Sequence, residues 1–222
     1  MGMQRTIFAV IAVLAVLAIG GVFLLGKQSP ATPAGAAADA PAIENPDPLL
    51  RAHLIFGSPK APVTVVEFGN YRCPHCRDHA LKVLPRLFSD YVEKGRVRYV
   101  FRALPFAGQD DVFTASVAAE CVYDQDPDRF LDYHTLLFRA VRDWAGASGE
   151  ALTAKLADYA RQLSLDAARL RACLKDPAVQ ARVRFDRDLA IALGVSGTPT
   201  FFVNGEKQVG FMPFERWQAL LK

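Results

Sequence analysis

Cys73 and Cys76 stand three positions apart and enclose Pro74 and His75. An apolar run, Val63, Thr64, Val65, Val66, Glu67 and Phe68, comes just before them, and a helix-like segment over 77–93 follows. The first cysteine therefore falls where a strand hands over to a helix. Pro74 suits the first helical position, because its missing N–H would be an orphan there and its φ is preset. Cys73 then sits at the helix N-terminus, where free backbone N–H groups and the positive end of the dipole favour a thiolate. The thiolate is the attacking species in disulfide exchange, so a lower pKa raises the reactive fraction. Cys76 lies one helical turn deeper, close enough to close a disulfide with Cys73. A zinc knuckle would want a second pair of ligands at similar spacing, and Cys121 and Cys173 are single and far apart. The spacing and its strand–helix context point to redox chemistry.

Other residues bear on that chemistry. His75, cationic or as a hydrogen-bond donor, would stabilise the Cys73 thiolate and favour the reduced form, which makes the pair an oxidant; the alternative is a solvated ring without effect. Glu67 interrupts β-branched residues in what reads as a central strand. Such strands are buried on both faces, so an ionised carboxylate there is costly and its pKa should rise, unless it reaches water at a strand end. His79, on the following turn, reads as a solvated helix-face residue; as a metal ligand it would join His75 and the two thiols. Pro199 after Thr198 opens a strand, where proline forfeits no ladder hydrogen bond.

The positioning elements begin well after the N-terminus. Residues 7–25 form an uncharged run of 19, about 28 Å as a helix, close to the ~30 Å of a bilayer's hydrocarbon. Arg5 precedes it, so the positive-inside rule puts everything after residue 26 outside the cytoplasm. Segment 1–27 thus reads as a signal-anchor; the competing reading is a cleaved signal peptide with small-residue sites near Ala34, Gly35 and Ala36. Both export the domain and permit disulfides. Residues 28–48 hold five prolines among alanines and read as a semi-rigid linker. The globular part is 49–222, with 24 Lys+Arg and 20 Asp+Glu; without a basic stripe, nothing points to nucleic acid. Cys121 and Cys173, 52 positions apart, are expected to bond in an exported chain, with a loop-closure contribution of roughly 4 kcal/mol; the alternative is two buried free thiols.

Strand patterns at 63–68 and 97–102 flank a helix over 76–93, with Leu81, Leu84 and Leu87 or Phe88 on one face and a kink expected at Pro85. In the second strand, Val97, Tyr99 and Phe101 share one face, and Arg98, Val100 and Arg102 the other. Strand, helix, strand predicts a parallel crossover pair. Helical patterns fill 110–193, broken near Pro127, Gly146, Ser164 and Pro177. Asn204 and Gly205 then separate two short strands, a strong hairpin signal, and 214–222 closes the chain as an amphipathic helix.

The order β-α-β, helical block (about 107–193), ββα, with Cys-x-x-Cys at the first strand–helix junction, resembles the α/β thioredoxin fold with a helical insertion. It is similar to the DsbA family of thiol:disulfide oxidoreductases, particularly its membrane-anchored bacterial members. The matching residues are Phe68, Gly69, Asn70, Tyr71 and Arg72 before Cys73-Pro74-His75-Cys76, then Phe130, Tyr133, His134, Leu137 and Phe138. The run from Gly194 through Thr198-Pro199-Thr200 to Gly205 completes the match. The resemblance implies a monomeric extracytoplasmic oxidant, without cofactor or metal, that passes its disulfide to reduced exported proteins. It also implies reoxidation by a quinone-linked membrane partner of DsbB or VKOR type. By the same resemblance Glu67 relays a proton to or from Cys76, and a cis Thr198–Pro199 bond presents the Thr198 backbone to an extended substrate. Two other readings remain: a tethered reductase or isomerase of the same fold, for instance for cytochrome assembly, to which Thr198 lends weight, and a copper- or zinc-binding carrier.

Overall fold

The structure is a computed structural model that describes residues 47–222. The predicted anchor over 7–25 and most of the predicted linker lie outside the described residues. Among those described, no helix is long and apolar enough to cross a membrane.

A five-stranded sheet carries the domain, in the order β1-β3-β2-β4-β5. The strands are β1 (Ile55–Phe56), β2 (Val63–Gly69), β3 (Val97–Ala103), β4 (Thr200–Val203) and β5 (Glu206–Val209). β2 and β3 run parallel, with Val63 opposite Val97, and the other pairings are antiparallel. The short edge strand β1 has no signal in the sequence pattern. Between β4 and β5, Asn204 (φ 48°) and Gly205 (φ 89°) both adopt positive φ, the conformation a two-residue turn of this kind demands. The Asn204 side chain also accepts from the Thr64 amide at 2.7 Å, tying the turn to β2.

Both faces of the sheet are covered. Val65, Tyr99, Phe101 and Phe201 pack on one side with Cys76, Val83 and Trp217, while Val66, Phe68, Val100 and Phe202 pack on the other with Leu49 and Ala190. The helices are α1 (Asp47–Leu50), α2 (74–92), α3 (Asp110–Gln125), α4 (Phe130–Arg139), α5 (Val141–Trp144), α6 (Gly149–Gln162), α7 (Ala167–Cys173), α8 (Pro177–Ala192) and α9 (Phe214–Leu220). Helices α3 to α8 form the insertion. Asp166 caps α7 and Asp176 caps α8, each side chain accepting from backbone amides of the first turn.

One expectation changes. Around Pro85, helix α2 continues through π turns at His79–Val83 and Phe88–Val92, on either side of the α turn Leu84–Leu87. The Leu84 amide reaches back five residues to the His79 carbonyl. Each π turn adds a residue and rotates the face that follows. Leu81, read as inward, is half-buried, and His79, read as solvated, is wholly buried. On β3, the face bearing Arg102 is also covered, by α8 and α1. Arg102 is buried, pairs with Asp186 of α8, and donates to the carbonyls of Pro48 at 2.7 Å and Leu49 at 2.9 Å.

Candidate active site

β2 ends at Gly69, and four residues later Cys73 holds an extended conformation (φ −77°, ψ 123°) at the N-cap of α2, with Pro74 opening the helix. Asn70 organises the turn between them. Its carbonyl accepts from the Cys73 amide at 3.0 Å, and its side-chain oxygen accepts from the Arg72 amide at 2.9 Å. Its side-chain nitrogen donates to the Leu104 carbonyl at 2.7 Å and to Gln109 at 2.8 Å. The loop after β3 is thereby locked against the cysteine turn. Tyr71 binds His134 Nδ1 of α4 at 2.9 Å, and Arg72 contacts Asp111 of α3 at 3.3 Å. The insertion is in this way tied to the residues just ahead of Cys73.

Both thiols are free, Cys73 half-buried and Cys76 buried. The hydrogen bond from Cys76 is the largest influence holding Cys73 down, to about 5; partial burial opposes it, and the Thr198 side chain with the Cys76 and His75 backbone amides reinforce it. His75 therefore acts on Cys73 through its main chain, while its ring is exposed. Burial, its role as donor to Cys73, and the Glu67 charge all raise Cys76. The two sulfurs are driven apart: one ionises readily and the other keeps its proton. In its thiol form Cys73 donates to the Thr198 carbonyl at 3.1 Å. The Thr198–Pro199 bond is cis, and Pro199 is buried.

Glu67 is buried behind this pair, on the same side of the sheet. Burial lifts it to about 8, against the pull of a hydrogen bond from Tyr99. The sequence reading singled out Cys73, Cys76, Glu67, Thr198 and Pro199, and the structure gathers them at the carboxyl end of β2 and the start of β4. It gave no role to Asn70 or Tyr99, and it placed His79, which is buried, on a solvated helix face. Tyr99 carried a usable signal, since parallel pairing puts it opposite Val65, on Glu67's face. Cys121 of α3 and Cys173 at the end of α7 are bonded, with Cα atoms 5.8 Å apart, well away from the free pair in the chain. Among the described residues, no group of three or more His, Cys, Asp or Glu is placed to hold a metal ion.

A thioredoxin-like fold with a helical insertion and an asymmetric dithiol at a helix N-terminus defines a thiol:disulfide oxidoreductase. A thioredoxin family model matches residues 51–222. The chain is 35% identical over 150 residues to the probable disulfide bond formation protein D of Bacillus anthracis, covering 67% of this chain and 68% of that one. It is 31% identical over 170 residues to the disulfide bond formation protein D of Bacillus subtilis, covering 76% and 75%. Among solved structures, oxidised BdbD from Bacillus subtilis superposes with a TM-score of 0.65 at 28% identity, over 80% of this chain and 92% of that one. The chain belongs to the DsbA-like thiol:disulfide oxidoreductases of the thioredoxin family.

Proposed function

We propose that this enzyme is an extracytoplasmic oxidant that introduces disulfide bonds into exported proteins through Cys73 and Cys76. The observation that carries the reading is the Cys73 thiol held down to about 5 by Cys76, Thr198 and the first amides of α2. Whatever stabilises the reduced, thiolate-bearing form makes the disulfide form a stronger oxidant. The sign is that of a depressed acid: the thiolate's stabilisation of the reduced protein is full above the ordinary thiol pKa and is lost as pH falls through about 5.

The exchange runs in two steps. A client thiolate attacks Cys73 Sγ of the Cys73–Cys76 disulfide, and Cys76 leaves with the electron pair and takes up a proton, Glu67 being its nearby acid. A second client thiolate then attacks the client sulfur of the mixed disulfide and releases the Cys73 thiolate, a good leaving group because its pKa is low. The client's extended segment lies along Thr198, whose carbonyl is 3.1 Å from Cys73 Sγ. Pro74 sets the start of the helix, and His75 contributes its amide. The Cys121–Cys173 bond staples the insertion.

In this reading 49–222 is the catalytic unit, a monomer with its helical insertion at about 107–193. Segment 1–27 holds it at the membrane and 28–48 gives it reach. A quinone-linked membrane protein regenerates the disulfide. The names of the Bacillus relatives support the oxidative direction. Two measurements test it. The Cys73–Cys76 couple is expected well above thioredoxin's potential of about −270 mV, and a value near that one would establish the reductase reading instead. Fractionation of cells should find the intact chain in the membrane pellet; a soluble mature chain beginning near Ala34 would show cleavage and remove the tether.

A further inference from the structure

Behind the cysteine pair, a polar chain crosses the core: Glu67 of β2, Tyr99 of β3 and His79 of α2, all buried. The Tyr99 hydroxyl donates to Glu67 Oε2. His79 Nε2 lies 3.2 Å from the Tyr99 oxygen and 3.8 Å from Glu67 Oε2. Tyr99 has one proton, and it is committed to Glu67. The contact with His79 is therefore met by Nε2–H donating to the Tyr99 oxygen, which leaves the lone pair on Nδ1. Nδ1 is buried without a hydrogen-bond partner. The ring packs against Phe201 and Trp217, with centroids 4.7 and 5.7 Å away. Reversing the chain would put a proton on Nδ1 and strand a buried donor, which is unfavourable. Burial, with a smaller effect from His134, also keeps the ring neutral by lowering its pKa to about 3.

The direction of donation is thus fixed, from His79 to Tyr99 to Glu67 Oε2. With Oε2 always an acceptor, a proton taken up by this carboxyl must sit on Oε1. Gly69 gives that oxygen room, since a Cβ there would stand 3.1 Å from Oε1 and 2.6 Å from the Phe101 ring. The titratable groups around Glu67 are Tyr99 from β3, Cys73, Cys76 and His79 from α2 and its cap, and Tyr71 from the turn before it. Its register partners on β3 and β4 are the apolar Phe101 and Phe201.

We propose that Tyr99 and His79 are positioning residues that hold Glu67 Oε2 as a fixed acceptor and make Oε1 the atom that exchanges a proton with Cys76. The inference rests on the reading of Glu67 as the proton carrier for the dithiol. When a client thiolate breaks the Cys73–Cys76 bond, Cys76 leaves with the electron pair and takes its proton from Oε1–H. In the return direction Cys76 gives its proton to Oε1 and attacks Cys73 Sγ in the mixed disulfide, and the thiolate bound there leaves.

The test is the pH profile of the resolving step, followed in single turnovers of the full chain with oxidised glutathione as the probe. Tyr99→Phe keeps the ring that packs on Phe88 at 5.5 Å and removes the donor that stabilises the carboxylate. Its half-maximal pH should rise by about one unit or more. His79→Leu should move it the same way by less, and His79→Gln, which keeps an N–H, should restore the wild-type profile. Glu67→Gln should abolish this limb. If Glu67→Gln removes the limb while Tyr99→Phe and His79→Leu leave it in place, the positioning role is wrong and the carrier role stands. If Glu67→Gln also leaves it in place, both are wrong. Should Tyr99→Phe fail to fold, the contrast between His79→Leu and His79→Gln decides.

Discussion

Replacing Cys76 by alanine should make Cys73 a weaker acid, and the structure sets the size of the change. The hydrogen bond from Cys76 is the largest influence holding Cys73 at about 5. A hydrogen bond to a charged group contributes about 1.5–3 kcal/mol, equivalent to about one to two pH units at 1.36 kcal/mol per unit. Cys73 is only half-buried, and water replaces part of a lost donor at such a site. The lower end, a rise of about one unit, is therefore expected. At about pH 6 the reduced wild type would be about nine-tenths thiolate and Cys76→Ala about half. Ultraviolet thiolate absorbance during a pH titration reads this directly. Cys76→Ser, which returns an O–H donor, should recover much of the shift. An alanine variant that titrates at or below the wild-type pH would refute the assignment of Cys76 as the donor and move the cause to Thr198 and the helix amides.

Cys76→Ser should accumulate mixed disulfides with client proteins and Cys73→Ser should not, read on non-reducing gels; equal trapping by both would reverse their roles. Replacing Cys121 and Cys173 together by alanine should lower stability by roughly 4 kcal/mol in denaturant titrations and leave the exchange rate within a few-fold; a large loss of rate at unchanged stability would make the second pair an electron relay. Arg102→Ala leaves Asp186 buried without its partner, and denaturant unfolding should show a loss of about 3–5 kcal/mol; a loss below about 1 kcal/mol would mean that water reaches the vacated site.

Features written in adjacent residues were legible in the sequence. The cysteine pair, the proline at the helix start and the Asn204-Gly205 turn each follow from short-range sterics, and the breaks read near Ser164 and Pro177 precede real helix starts. Features that depend on phase or on distant partners were not. His79 turned inward and Leu81 only half inward because the π turn from His79 to Val83 breaks the 3.6-residue rhythm. Nothing in the strand pattern marked Arg102 as an ion-pair partner, because Asp186 is 84 positions away. Glu67's burial was inferable from its apolar neighbours, whereas its link to Tyr99 required the register of two strands that α2 separates.

Arg102 has a mechanical consequence as well. Its guanidinium holds the carbonyls of Pro48 and Leu49 while paired with Asp186 on α8. Tension on the chain ahead of Pro48 is therefore delivered through Arg102 to the carboxyl end of β3 and through Asp186 to α8. β3 is paired along its length with β2, so a force on Arg102 bears on that ladder of hydrogen bonds. Peeling that segment away requires breaking the clamp first, and until then the strand leading to Cys73 keeps its register under strain.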